Sequence, residues 1–319
     1  MKAQRDILIE FLFERAKTDP DIFFISVDMG APALDQWREE LPNQFVAAGI
    51  SEQNAVNFAA GLAAAGKKPF VYMMACWTAR CFEQIRYSCA MPGNPVTIIG
   101  NGVGLGYAPA GPAHEPTEDL CYMRAIEGLE IDSPSNVSQL LHIAKELVSK
   151  PRLRYVRLER SMSERVGGRI SKPEVSGIEL VEEFPGSPKN ELVIASSGYL
   201  LERALDIGQE VNKNSGWSVR VIDVWKSKPI DRLSLSKMLV NTCLLFTLEE
   251  QARDGAFGAA VLEALSDMRL LIPVQRFSLD TAFAFENGSR DQLLDRYGLS
   301  KDHLTSQILK SIKGWEDSK

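Results

Sequence analysis

The sequence predicts an α/β protein of two domains, each a mainly parallel sheet flanked by helices. The 319 residues exceed the roughly 200 that one core usually covers. Apolar runs of strand length alternate with segments of helical periodicity for most of the chain, the pattern typical of parallel sheets. The alternation lapses once, over residues 160–190, where Ser, Pro, Gly, Lys and Glu without periodicity predict a linker.

The first domain is expected over residues 1–170. Apolar runs predict its strands at 23–27, 45–50, 70–75, 96–100, 129–131 and 154–158. The periodic segments between them predict helices over 3–17, 51–66, 77–90, 117–126 and 135–149. A loop rich in Gly, Pro and Ala follows the fourth strand and occupies residues 101–116.

The second domain is expected over residues 190–319, after a linker at 171–189. Its strands are predicted at 192–196, 218–224, 243–248 and near 273–277. Its helices are predicted over 200–213, 233–240 and 255–266, with two further helices at the C-terminal end.

Composition and charge exclude several classes of protein. With 45% hydrophobic and 24% charged residues, the chain can fill sizeable cores and is not disordered. A net charge of -6 without a Lys/Arg cluster argues against nucleic acid as a partner. No apolar run reaches the roughly 18 residues of a membrane span, and the N-terminal segment resembles an amphipathic helix, not a signal peptide. The five cysteines form no CxxC pair, so we expect free thiols and a cytoplasmic location.

Three histidines, with no HxxxH, Walker loop, GxSxG or cysteine-metal spacing, argue against a self-sufficient hydrolase or metalloenzyme. We therefore assign no metal ligand to this chain. One of the three, His114, lies in the loop GNGVGLGYAPAGPAHEP, directly after a strand. Ligands bind at that edge of a parallel sheet, although such a histidine can equally serve only to bond the loop backbone.

Two further segments have both a structural and a functional interpretation. In AAGISEQN, Ser51 can cap a helix and Glu52 suits the positive end of the helix dipole. In MMACWTARCFEQIR, Trp77 and Phe82 fit core packing and Arg80 fits a solvated surface. Taken singly, each is more easily explained as structure than as catalysis.

Taken together, these features resemble one family. The segments GISEQNAVNFAAGLAAAGKKPFV, GPAHEPTEDLCYMRAIEGLEIDSPSN and TLEEQARDGAFGAAVLEAL resemble the pyrimidine-binding and C-terminal domains of transketolases. They are similar also to 1-deoxyxylulose-5-phosphate synthases and, more distantly, to β subunits of 2-oxoacid dehydrogenases. The resemblance covers nearly the whole chain, with its motifs in the expected order.

The resemblance implies thiamine diphosphate as the cofactor and assigns roles to several residues. It makes Glu52 the acid that bonds N1′ of the aminopyrimidine, which activates the cofactor as an electron sink. It places Trp77 against the pyrimidine, with Arg80 one turn later and Phe82 as a second aromatic candidate. His114 would contact substrate oxygens near the reacting carbon.

The same resemblance implies further cofactor and substrate contacts. Asp28 and Met29, in SVDMG, match residues that lie beside the cofactor. Arg160, in RLERS, keeps a basic residue where the family holds the sugar phosphate. The family's phosphate histidine falls at Gly100, its N-terminal arginine falls near residues 1–2, and the acidic residue before its histidine motif is replaced by YAPA. We therefore expect an altered acceptor, less dependent on phosphate.

The chain has no GDG motif of the kind that, with a later Asn, holds the Mg²⁺ and diphosphate in this family. We expect a partner subunit with that GDG…Asn motif to hold the Mg²⁺, in an α2β2 heterotetramer acting on a small sugar or keto substrate. The leading interpretation is the β subunit of a split transketolase that transfers a two-carbon ketol unit. The alternatives are a decarboxylating dehydrogenase subunit, a deoxyxylulose-synthase-like enzyme, or a non-catalytic assembly subunit.

Overall fold

The computed structural model describes residues 2–161, 164–169, 173–280, 283 and 285–319. Parts of the predicted linker and one position proposed for the family's N-terminal arginine, residue 1, lie outside these ranges. Within them, two sheets of seven and five strands are flanked by helices, which confirms the predicted fold class. No helix in the described ranges is long and apolar enough to span a membrane.

The first sheet has the order β10-β5-β6-β4-β3-β1-β2, and all its pairs are parallel except β10 with β5. Six of its strands come from the first half of the chain. They are β1 (Ile22–Ser26), β2 (Phe45–Ala47), β3 (Lys68–Met74), β4 (Thr97–Asn101), β5 (Glu130–Asp132) and β6 (Arg154–Leu158).

Helices cover both faces of this sheet. They are α1 (Gln4–Ala16), α2 (Ala33–Glu40), α3 (Glu52–Ala64), α4 (Phe82–Gln84), α5 (Asp119–Arg124) and α6 (Val137–Ser149), with α7 (Glu164–Gly167) following β6. Helix α6 begins at a true cap, because the Asn136 side chain accepts from the backbone N–H of Gln139 at 2.9 Å. Its apolar face packs with α1 over the sheet, where Leu140 and Leu12 are fully buried.

The second sheet has the order β12-β11-β8-β9-β7 and is parallel except for β7 with β9. Its strands are β7 (Ile178–Phe184), β8 (Ser187–Ser196), β9 (Trp217–Val224), β11 (Leu244–Ala252) and β12 (Val274–Leu279), and β10 (Lys226–Lys228) joins the first sheet instead. Its helices are α8 (Leu200–Ser215), α9 (Arg232–Met238), α10 (Phe257–Asp267), α11 (Arg290–Leu294) and α12 (Lys301–Asp317).

The structure corrects the predicted linker at 171–189. Residues 178–184 form strand β7, which pairs antiparallel with β9 at the edge of the second sheet. Only one side of this strand packs on the core, with Ile178 and Val181 buried and Glu182 and Glu183 exposed. An edge strand with exposed charges gives a weak apolar signal, which explains why the sequence indicated a linker there. The domain boundaries themselves stay a prediction.

The two sheets do not pack as independent units. Strand β10, which the sequence did not reveal, follows the second-domain strand β9 and pairs with β5 of the first sheet. One buried apolar cluster includes Val71 of the first sheet together with Val193 and Leu245 of the second. The second sheet therefore lies directly behind the loops that leave the first.

The helix predicted over 77–90 is also different in the structure. Residues 75–81 form a 3₁₀ helix, α4 follows, and residues 85–90 form a π-helical turn. A 3₁₀ helix has three residues per turn, so side chains three positions apart lie one above the other. This local geometry determines how Trp77 and Arg80 are arranged.

Candidate active site

The sequence-predicted residues gather at the carboxyl edge of the first sheet. Asp28 and Met29 follow β1, Glu52 begins α3 after β2, and Trp77 follows β3. The loop 101–116, which carries His114, follows β4. In parallel sheets this edge binds ligands, because the loops there can approach one another without disturbing the strands.

Glu52 is buried, with 4% of its surface exposed, although it is the first residue of a helix. The expected cap by Ser51 is wrong: its hydroxyl donates instead to the carbonyl of Ala48 at 2.6 Å. Glu52 Oε2 accepts a hydrogen bond from Arg80 Nη1 at 3.0 Å, and the Arg80 side chain is itself about half exposed. The carboxylate is thus held in one orientation by a side chain that remains in contact with solvent.

Contacts continue from Arg80 to His114. The Arg80 guanidinium carbon lies 5.0 Å from the centre of the Trp77 ring, since the 3₁₀ turn stacks the two side chains. The Trp77 ring in turn meets the His114 ring edge to face, with centroids 5.7 Å apart. Glu52, Arg80, Trp77 and His114 therefore form one continuous set of contacts.

His114 ends a short 3₁₀ turn that starts after Gly111, whose φ of 79° lies in the left-handed region. Its Nδ1 is buried and has no hydrogen-bond partner. Buried ring nitrogens are normally paired, so one left without a protein partner beside Trp77 fits a ligand contact.

Asp28, Met29 and Phe82 lie outside this set of contacts. Asp28 is exposed and has a φ of 43°, and the carbonyl of Met29 accepts from the Ser26 hydroxyl at 3.1 Å. The Met29 and Phe82 side chains are half-buried and pack against opposite cores of the first domain. Phe82 therefore serves the core in this arrangement, while Asp28 remains free to meet a ligand at the end of β1.

Arg160 lies at the far end of the same loop. Its guanidinium is 4.5 Å from the centre of the Tyr107 ring, and Nη1 donates to the carbonyl of Gly106 at 3.4 Å. The Tyr107 hydroxyl accepts from Asn101 Nδ2 at 2.9 Å, and Asn101 Oδ1 is buried without a partner. Arg160, Tyr107 and Asn101 form a polar group next to the loop.

Arg5 joins this polar group from α1. Burial lowers the pKa of Arg5, but Tyr72, Asp6 and Tyr107 outweigh that effect and raise it overall. The sequence alone gave no reason to select Arg5, which is a few positions from where the family's N-terminal arginine falls. The signal is tertiary, because α1 packs beside β3 and the loop.

Gly100, where the family has a phosphate-binding histidine, has no room for a side chain. A Cβ built there would be 2.6 Å from the Tyr155 hydroxyl, which donates to Asp119 Oδ2 at 2.8 Å. Asp119 also accepts from Arg157 Nε at 2.7 Å. A buried structural network thus fills the space that a histidine would need.

Glu115, next to His114, escaped the sequence analysis. It is buried, its Oε1 has no partner, and burial together with the nearby Glu250 raises its pKa to about 7. Cys76 and Cys81 also lie near Glu52, but burial raises the pKa of Cys76 to about 11 and that of Cys81 to about 12. Both thiols stay protonated near neutral pH and are poor nucleophiles.

Comparison with protein families gives two matches along the chain. Residues 2–164 match the pyrimidine binding domain of transketolase, and residues 186–304 match the transketolase C-terminal domain. One of the two subunits of the apulose-4-phosphate transketolase of Phocaeicola vulgatus is 32% identical over 98% of both chains. The 1-deoxy-D-xylulose-5-phosphate synthase of Chlorobium phaeovibrioides is 30% identical over 98% of this chain but only 48% of the synthase. The chain thus spans about half the length of the related synthases.

Solved structures give a similar result. A structure described as a split gene transketolase, inactive beta4 tetramer, matches 98% of this chain and 99% of that one, with a TM-score of 0.81 and 28% identity. The transketolase of Campylobacter jejuni matches with a TM-score of 0.77 and 17% identity, and this chain covers 46% of it. The second likeness concerns the fold alone.

Proposed function

Because the chain belongs to the transketolase family, as its sequence motifs predicted, we propose that it is the β subunit of a split transketolase and works only with a partner subunit. The reaction is the transfer of a two-carbon ketol unit from a ketose to an aldehyde or related acceptor. The observation that carries this proposal is the continuous contact of Glu52, Arg80, Trp77 and His114 at the carboxyl edge of the first sheet.

These residues fit the aminopyrimidine half of thiamine diphosphate. Glu52 offers a buried carboxyl group to N1′, and Trp77 offers an aromatic face. Asp28 and Met29 would lie beside the cofactor at the end of β1, with Phe82 supporting Trp77 from the core. When bound, the cofactor supplies an electron sink for the carbon that loses its bond to the departing aldehyde.

Arg80 positions Glu52. Its guanidinium holds one carboxylate oxygen at 3.0 Å, which leaves the other oxygen for the pyrimidine nitrogen. The stem of Arg80 remains half exposed, so the guanidinium can shift along the Trp77 ring when a ligand enters. Arg80 is therefore part of the cofactor site although its own contact is with the protein.

His114 and Arg160 would contact the substrate. The unpaired Nδ1 of His114 can bond a hydroxyl or carbonyl oxygen near the reacting carbon. Arg160 and Arg5, around Tyr107, would hold an anionic end of the substrate.

Gly100 has lost the family's histidine to the Tyr155 network, so we propose an acceptor that depends less on phosphate. Steady-state kinetics with pentose phosphates as the best acceptors would contradict it.

The diphosphate half requires the partner. Within the described ranges there is no group of three or more His, Cys, Asp or Glu placed to hold a metal ion. We assign the Mg²⁺ and the diphosphate to an α subunit with a GDG…Asn motif, in an α2β2 heterotetramer. The related beta4 tetramer is described as inactive, which supports dependence on a partner.

A deoxyxylulose-synthase-like reaction is the second candidate. Several synthases are 26–30% identical to nearly the whole chain over about half of their own length. That reaction consumes pyruvate and releases CO₂, whereas ketol transfer does not. Carbon dioxide release with pyruvate and glyceraldehyde 3-phosphate would therefore distinguish the two.

We also propose a cytoplasmic location. It is supported by the five cysteines, all of which carry free thiols.

Mixing the purified subunits tests the proposed function. The chain, an α subunit with the GDG motif, and their mixture are assayed with thiamine diphosphate, Mg²⁺ and a ketose phosphate donor such as apulose 4-phosphate or xylulose 5-phosphate. Ketol transfer to an aldehyde by the mixture alone is the expected result. Equal transfer by the isolated chain would contradict dependence on the partner, and no transfer by the mixture with any donor would favour a non-catalytic subunit.

A further inference from the structure

Two residues of the second domain reach the loop that carries His114. Glu250 is in β11 and Arg290 begins α11, and together with Glu159 they form a buried group of one cation and two carboxylates. Arg290 Nε donates to Glu250 Oε2 at 2.8 Å, and Nη2 donates to Glu159 Oε2 at 2.7 Å. Arg290 Nη2 also donates to Glu250 Oε1. We call Glu159, Glu250 and Arg290 the buried triad.

The triad bonds the backbone of the loop directly. The N–H of Leu105 donates to Glu250 Oε2 at 3.3 Å, and Arg290 Nη2 donates to the carbonyl of Val103 at 3.5 Å. Between these two residues, a Cβ on Gly104 would lie 2.5 Å from the Glu250 carboxyl carbon. The loop can therefore follow the carboxylate this closely only because residue 104 is glycine, which also accepts the φ of 57°.

Second-domain contacts occur on both sides of His114. Before it, Leu105 and Ala108 are completely buried in the second-domain core. After it, the carbonyl of Thr117 accepts from the backbone N–H of Ala252 at 2.8 Å. Because Glu250 and Ala252 both belong to β11, the end of one strand fixes the loop at two points that bracket the histidine.

Stability alone does not account for the triad. Removing charges from water is costly, and apolar side chains of similar size often stabilise a core as well as a buried ion pair. Charged groups with fixed hydrogen bonds do, however, select one arrangement of the backbone that they contact. Here that backbone is the segment leading to His114.

We propose that Glu250 and Arg290 are positioning residues for catalysis, which hold the loop so that His114 stays against Trp77. The second domain thereby takes part in the reaction of its own chain. The kinetic part of this inference rests on the proposed function, because it needs His114 to meet the substrate. The structural part, that the triad orders the loop, does not.

Hydrogen exchange in the isolated chain tests the structural part. Arg290→Met is compared with Arg203→Met, the matched control. Arg203 bonds Asp291 and Asp295 at 2.9 Å each, so it also ties down the α11 region, but it does not contact the loop. We expect Arg290→Met to speed exchange of the amides in 101–116 at least tenfold, while Arg203→Met leaves them unchanged. Unchanged exchange in Arg290→Met would overturn the inference.

Kinetics of the complex with the partner subunit test the positioning role. We expect Arg290→Met to lower kcat about tenfold while the affinity for thiamine diphosphate changes less than twofold, because the triad does not contact Glu52 or Trp77. Arg290→Lys, which keeps the charge, should recover part of kcat. Faster loop exchange with an unchanged kcat would overturn the positioning role. An unmodified complex without ketol transfer would instead contradict the proposed function, and the exchange experiment would still decide whether the triad orders the loop.

Gly104→Ala approaches the same contact from the loop, and it guards against misfolding of the arginine variant. Its added methyl group would displace the Glu250 carboxylate. If both substitutions act through one contact, the double variant should lose no more kcat than the worse single variant. Multiplicative losses in the double variant would show independent effects and would contradict a shared positioning contact.

Discussion

At the scale of single residues, Glu52 combines deep burial with only one charged partner, Arg80. Glu52→Gln keeps the shape of the side chain and an oxygen for Arg80, but removes the acid. We expect turnover of the complex to fall at least a hundredfold, within the range that general acid–base groups contribute, with the fold intact. Glu83→Gln, at an exposed position of the following helix, is the control and should not alter turnover. Full activity of Glu52→Gln would support the non-catalytic alternative.

The sequence could identify Glu52, Trp77, Arg80 and His114 because each belongs to a local motif. It could not show that they touch, since contacts between α3, the 3₁₀ turn and the loop depend on tertiary packing. Glu115 was missed for the same reason: its raised pKa results from burial beside a residue of the second domain, which no local pattern reveals.

At the scale of elements, Gly100→Ala tests the network behind β4. The new methyl group would meet the Tyr155 hydroxyl, which is fixed by Asp119, so we expect a loss of about 1–3 kcal/mol in the free energy of unfolding. Gly314→Ala, in α12 with open space around it, is the matched control and should gain up to about 1 kcal/mol. Denaturant unfolding measures both. A stable Gly100→Ala variant would mean that Tyr155 moves easily.

The contact between β9 and α6 should depend on pH. Burial raises the pKa of Asp223 to about 7, although Gln139 Nε2 donates to its Oδ2 at 2.8 Å. A carboxyl whose pKa is raised by folding stabilises the fold when protonated, and that contribution is lost as pH rises from about 4 to about 7.

Asp223→Asn removes this ionisation. We therefore expect the variant to gain on the order of 2 kcal/mol over the unmodified chain at pH 8, and little at pH 4.5. Urea unfolding at the two pH values gives the comparison, and a gain that is the same at both would contradict titration of Asp223.

The order and type of most elements could be predicted because apolar strands and amphipathic helices alternate. Three failures have physical causes. Helix α2 is short, with Leu34 and Trp37 as its main buried anchors. Strand β7 exposes one side at an edge, and β10 has only three residues and owes its structure to pairing with β5. Periodicity is weak in each case, and tertiary contacts decide the outcome.

At the scale of the whole molecule, the two domains share a core and exchange contacts at the loop that bears His114. The chain therefore presents a half-site on a rigid support, with its pyrimidine-binding residues at an edge open to a partner. The family membership and the full-length match to one subunit of a two-subunit transketolase agree with this organisation.

Calorimetry of thiamine diphosphate with Mg²⁺ tests the half-site most directly. The titration is made with this chain alone, then with the complex of this chain and its GDG-bearing partner. We predict heat of binding with one cofactor per αβ pair in the complex and none with the chain alone, because the metal and diphosphate ligands belong to the partner. Tight binding to the chain alone, or no binding to the complex, would contradict the half-site.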